Sequence, residues 1–334
     1  MSRGMMIALG VTGLFGVAIA AWRQGGLLGL PAVSSGVTSE SAGFSGLDGM
    51  KRIDRYLRQT NNIVPAAQTP ACAQLVGQGL SDIATGNVSF GLQRMRDGLL
   101  QCPNDLVLGN AFRMTLFQLK REALAVARKE GLYNARLPDH LRDDPIMTLA
   151  AIARTHPSRE AKLQLALAWV DQMLLFPALE VKAPSSVEAV KILTEVLDQE
   201  PLYVPALFGR GLNHLHRPSR LVWPESEHVL PDAAVQDIGK CVAIGRQLNI
   251  GSSRLQATLA LTLGDAYVKA GHLESARSWW QVAQNLDRAE DMAQAVRRRF
   301  GWSNETIIDQ LEAELDRSRS ELDRPLSDLS FMWN

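Results

Sequence analysis

The chain has 334 residues, of which 46% are hydrophobic and 21% charged, a balance that supports a buried core and excludes an intrinsically disordered protein. Its 35 basic and 35 acidic side chains cancel, so it lacks the positive field that phosphate binding needs, and nucleic acid is not an expected partner. The densest basic run, Arg297-Arg298-Arg299, comes after Glu290 and Asp291 on a helical stretch and reads as a solvated face.

From Gly4 to Ala21 the chain is apolar and uncharged, between Arg3 and Arg23. Residues 1–23 therefore read as a membrane-directed segment. Its length suits a retained transmembrane anchor, while Ala18-Ile19-Ala20 offers a cleavage site of the signal-peptide kind. Both alternatives carry the remainder of the chain out of the cytoplasm. The amino terminus and Arg3 ahead of the segment agree with that orientation. Gly10, Gly13 and Gly16 could form a helix-packing face within the membrane.

Residues 24–65 form a linker. Gln24 to Ser45 is rich in Gly and Ser without helical periodicity, a flexible tether whose root-mean-square reach is about 25 Å. Met50, Ile53, Tyr56 and Leu57 then predict a short amphipathic helix, ended by Pro65 and Pro70.

Residues 66–302 show the spacing of paired helices. Leu75, Gly79, Ile83, Gly86, Gly91, Met95, Gly98 and Pro103 mark a first hairpin over 71–104. Cys72 opens it and Cys102 closes it, so an oxidising compartment would allow a disulfide between them; the alternative is two separate small hydrophobes. A helix over 106–130 carries Leu108, Ala111, Phe112, Leu116 and Leu119, and residues 133–145 form a proline-bounded connection. Two more helices span 158–176 and 186–199, the second ending at Glu200-Pro201. The next hairpin begins at Tyr203 with Leu207 and Gly211, and between His214 and Ala234 it carries about eleven more residues than a 34-residue period needs. Cys241, between Ile238 and Ile244, sits at a buried packing position.

Leu263-Gly264, Tyr267, Gly271, Ala276, Trp280, Ala283 and Leu286 then give the clearest pattern in the chain. Small residues at Gly264 and Ala276 let two antiparallel helices approach, and Tyr267 and Trp280 fill the space between them. The last helices span 292–300 and 304–322. Residues 303–334 read as a capping helix and tail, with Glu314–Arg317 and Glu321–Arg324 spaced as surface pairs and Phe331-Met332-Trp333 expected to fold back on the last helix.

The best candidates for chemistry are His214, His216 and His228, with Glu225 and Glu227, in and beside the insertion; imidazoles and carboxylates could hold a divalent metal, although His-x-His turns the first two rings to different faces. Asp139, His140, Asp143 and Asp144 read as capping and turn residues. No nucleophile elbow, phosphate loop, zinc-cysteine pair or haem-attachment motif is present, so no catalytic residue, metal or cofactor is assigned. Trp223, Trp279 and Trp333 are the aromatic candidates for a partner contact, each with a packing alternative.

These spacings resemble the tetratricopeptide repeat family over about 71–290, most closely in the hairpin around Gly264 and Trp280. The resemblance implies an all-α solenoid of helical hairpins with a concave groove for a peptide or helix. The expectation is a non-enzymatic scaffold or adaptor, anchored in a bacterial-type inner membrane with its repeats in the periplasm, that binds protein partners during assembly or stabilisation of a membrane or secreted complex. Two alternatives are a permanent accessory subunit of a membrane enzyme complex and a metal- or ligand-binding periplasmic protein. If the leader is cleaved, the protein is secreted.

Overall fold

The structure, a computed structural model, describes residues 69–129, 145–176, 179–217, 232–248, 253–321 and 328–329. The apolar leader, the linker, Asp139 to Asp144, Trp223, Glu225, Glu227, His228 and Trp333 lie outside the described residues. Among the described residues there are helices and no strands, so the chain is all-α. No helix among them is long and apolar enough to cross a membrane.

The helices are α1 Pro70–Ala84, α2 Val88–Gln101, α3 Leu106–Lys129, α4 Pro145–Thr155, α5 Arg159–Leu175 and α6 Leu179–Gln199. They continue as α7 Val204–His216, α8 Ala233–Leu248, α9 Ser253–Lys269, α10 Leu273–Leu286, α11 Glu290–Phe300 and α12 Ile307–Glu321. Local chemistry sets several starts. The Thr69 hydroxyl accepts the Cys72 N–H ahead of α1, Asp105 accepts Leu108 N–H at 2.8 Å ahead of α3, and Ser158 accepts Ala161 N–H at 3.1 Å ahead of α5. Two hairpins turn by the same device. After α1, Gly86 adopts a φ of 89° and Asn87 N–H reaches back to the Asp82 carbonyl; after α9, Gly271 adopts 84° and His272 N–H reaches the Tyr267 carbonyl. Positive φ strains any residue with a Cβ, which accounts for glycine at both turns.

The pairs α1/α2, α5/α6, α7/α8 and α9/α10 pack most extensively. The alternate helices α1, α3, α5, α7 and α9 form a continuous row, α1 on α3, α3 on α5, α5 on α7 and α7 on α9. One close crossing recurs within the hairpins. A Cβ on Gly79 would lie 2.7 Å from Met95, one on Gly211 2.7 Å from Ile238, and one on Gly264 2.5 Å from Trp280. The partners are sixteen residues apart in the first and last hairpins and twenty-seven in the middle one. The difference of eleven places the extra length between α7 and α8.

Two apolar clusters make the core. One gathers Leu92, Met95, Phe112 and Leu149 around α2 to α5, and the other runs from Leu163 and Leu167 through Trp280 to Leu315. Helix α3 belongs to both, with Phe112 in the first and Phe117 in the second. Helix α5 is buried around most of its circumference, including Gln164 and Asp171, so it is the central helix.

Three expectations need correction. Helix α6 begins at Leu179 rather than at 186 and runs through Pro184. The proline, in the second turn, removes one interior hydrogen bond, and the Ser185 hydroxyl donates to the Val181 carbonyl at 2.7 Å in the same turn. The basic run is not wholly solvated. Arg299 is buried and holds Asp265 through Nε to Oδ1 and Nη2 to Oδ2, each at 2.6 Å. Glu314 is buried too, and it bonds Arg298 at 3.0 Å, tying α12 to α11 instead of facing solvent.

Candidate partner-binding face

Asn110 and Arg113 lie one helical turn apart on α3, and Gln164 and Asp171 lie two turns apart on the neighbouring α5. Arg113 is fully enclosed and donates in three directions: Nη1 to Asp171 at 2.6 Å, Nε to Gln164 at 3.1 Å and Nη2 to Asn110 Oδ1 at 3.0 Å. Gln164 completes the ladder by donating to the Leu106 carbonyl at 3.2 Å. A buried cation costs several kcal/mol to desolvate, roughly, unless a carboxylate and further acceptors replace the water, and Asp171, Gln164 and Asn110 do so here.

This ladder receives the far end of the chain. Asn110 Nδ2 donates to the Asp328 carboxylate at 2.7 Å, and Asn110 Oδ1 accepts the Leu329 N–H at 3.0 Å. Leu329 is 0% exposed and joins the larger core cluster. The tail reaches α3 through its two described residues, more than two hundred positions later in the chain, and Phe331-Met332-Trp333, expected on the last helix, lie outside the described residues. Farther along the same face of α3 a shallow cleft opens towards α5 and the start of α4, lined by Arg113, Phe117, Lys120, Asp171, Leu175 and Phe176. Arg113, Phe117 and Asp171 are themselves buried there, Arg113 and Asp171 being bonded to each other, and Lys120 is the partly exposed cation on its lining.

The other predicted residues have structural employment or fall outside the described region. Trp279 is half-buried, and the Arg246 guanidinium of α8, in the preceding hairpin, covers its ring at 4.7 Å. Burial holds Arg246 below its usual pKa. Trp280 is fully buried and donates its indole N–H to Asp265 at 3.0 Å. Cys72 and Cys102 are joined by a disulfide, and Cys241 is a buried free thiol whose pKa burial pushes well up.

His214 and His216 are both buried at the end of α7. Lys269 from α9 donates to the carbonyls of Leu215, at 2.6 Å, and Arg217, capping that helix end with a positive charge. Burial, then Arg217, Arg210 and Lys269, lowers the His214 pKa to about 3. A neutral imidazole suits a metal, but three nearby cations oppose a dication. No three His, Cys, Asp or Glu side chains among the described residues converge as a metal site.

Sequence reasoning missed Asn110, Arg113, Gln164, Asp171 and Asp328. The available signal was a polar residue where helical phase demands an apolar one: Asn110 and Arg113 beside Phe112, and Gln164 and Asp171 within the run Leu163 to Leu174. Neither the known protein families, nor curated proteins, nor solved structures give a match to this chain.

Proposed function

We propose that this chain is a tetratricopeptide-type scaffold that holds a protein partner outside the cytoplasm, tethered to a membrane by its apolar leader, and that it does not transform a small molecule. The observation that carries this reading is Asn110. On α3, within the row of alternate helices, one side-chain amide binds both a carboxylate and a backbone N–H of a segment remote in sequence. Groups that read main chain and a single charge suit peptide capture better than chemistry on a small substrate. The Cys72–Cys102 bond agrees with an oxidising compartment. The recurrent glycine crossings and the continuous row of alternate helices support a repeat solenoid with one shared face.

The test is a photo-crosslinking amino acid at Lys120, on the cleft, in the full chain expressed in cells. Discrete adducts with other proteins, recovered with the membrane fraction, are expected. Absence of adducts there, with the protein folded and abundant, would rule the scaffold reading out.

A further inference from the structure

We propose that Asn110 and Arg113 form a binding site for an acidic–aliphatic peptide segment of a partner protein, and that Asp328–Leu329 is a built-in occupant which the partner displaces. This rests on the scaffold reading above.

The receptor groups are fixed without the tail. Arg113 is held by Asp171 and Gln164, Gln164 by the Leu106 carbonyl, and Asn110 by Arg113, all on α3 and α5. Removing the tail leaves those bonds intact, so the site is preformed. The occupant brings three things: one carboxylate, one backbone N–H and one buried aliphatic side chain. Any Asp-Leu-like segment brings the same three. Asn110 Oδ1 accepts from Leu329 and from Arg113 at once, so the guanidinium polarises the oxygen that reads the incoming N–H.

An occupant on the same chain competes at an effective concentration of roughly millimolar order. A partner then sees only the fraction of molecules whose tail is away, and its apparent affinity falls by that fraction. Such a scaffold stays closed to weak or stray peptides and opens to a partner that is concentrated locally or makes extra contacts along α3.

The experiment uses the full chain, wild type and Asp328→Ala/Leu329→Ala, with a fluorescent peptide of residues 323–334 as probe and anisotropy as readout. The double variant should bind the peptide at least about tenfold more tightly than wild type, because a docked tail leaves a tenth or less of the sites open. Adding Asn110→Ala should abolish that binding. Equal affinity for wild type and variant, or binding that survives Asn110→Ala, would overturn the proposal. Leu329→Ala alone is measured beside the double variant by circular dichroism. Loss of helical structure in both would also overturn it, since a displaceable occupant cannot be a strut that the fold requires. Repeating the Lys120 crosslink in the double variant separates this from the scaffold reading. Peptide binding without any cellular adduct would keep the closed site and remove the partner; adducts of equal yield in both chains without peptide binding would keep the scaffold and remove the occupant.

Discussion

Arg299 grips Asp265 through two parallel hydrogen bonds of 2.6 Å, and the same carboxylate accepts the Trp280 indole N–H at 3.0 Å. Three helices, α9, α10 and α11, meet on one acidic side chain. Arg299 also stands 5.5 Å from the Trp302 ring, and Trp302 meets Trp280 edge-on at 5.6 Å. Replacing Arg299 by Met strands a buried carboxylate, and the expected loss is about 3–5 kcal/mol of folding stability. Arg299→Met with Asp265→Asn removes both charges and keeps an acceptor for Trp280, so urea unfolding should find the pair milder than the sum of the singles. Strict additivity would contradict this coupling.

At Gly264 the space for a side chain is already taken. A Cβ there would lie 2.5 Å from both Cδ1 and Nε1 of Trp280 and 3.0 Å from the Ala276 carbonyl oxygen. Gly264→Ala is therefore expected to destabilise by about 1–3 kcal/mol, although alanine is the better helix former. Gly77, on α1, has nothing within 4 Å of the same position, and Gly77→Ala should stabilise by up to about 1 kcal/mol. Opposite shifts of the two melting temperatures are the expected result; shifts of the same sign would refute the crowding argument.

Reduction should act on the amino-terminal hairpin. The Cys72–Cys102 bond closes a loop with a sequence separation of 30, and constraint of the unfolded chain by such a loop contributes roughly 3–4 kcal/mol. Cys72→Ser/Cys102→Ser should lower the denaturation midpoint, and a reducing agent should lower wild type to the same value. Hydrogen exchange should then quicken first in α1 and α2, the two helices that the bridge encloses. Indifference of the midpoint to reductant would count against a stabilising bridge.

His214 gives a pH signature. Its folded pKa of about 3 lies below the ordinary value of 6.5, because burial and the charges of Arg217, Arg210 and Lys269 disfavour the imidazolium. Below pH 6.5 the unfolded chain takes up a proton that the folded chain refuses until about pH 3. Stability contributed by neutral His214 is thus complete above the unfolded pKa and declines as pH falls towards the folded one, with a slope of at most about 1.4 kcal/mol per pH unit. His214→Leu should flatten the stability profile between those limits relative to wild type. Parallel profiles would show that His214 is not the group responsible.

The hairpins are readable because their determinants are local. Gly86 and Gly271 mark turns, Gly79 and Gly264 mark crossings, and the surplus length between Gly211 and Ile238 can be counted from the period alone. The features that escape are long-range and polar. Arg299 belongs to a basic run that looks like solvated surface, and nothing nearby in sequence announces Asp265 as its partner. Pro184 looks like a helix boundary, yet α6 runs through it at the loss of an interior hydrogen bond, held by its packing on α5 and α7. The contact of Asp328 and Leu329 with Asn110 joins the last described residues to the third helix, and periodicity carries no information about such closures.

The bridge between Cys72 and Cys102 also decides how the molecule answers a pull. Tension arriving from residues ahead of Thr69 enters the fold three positions before one sulfur and crosses the covalent link to the other, just ahead of α3. Helices α1 and α2 hang as a slack loop between the two anchor points, so the load falls on the α3 junction and the first hairpin is spared unravelling.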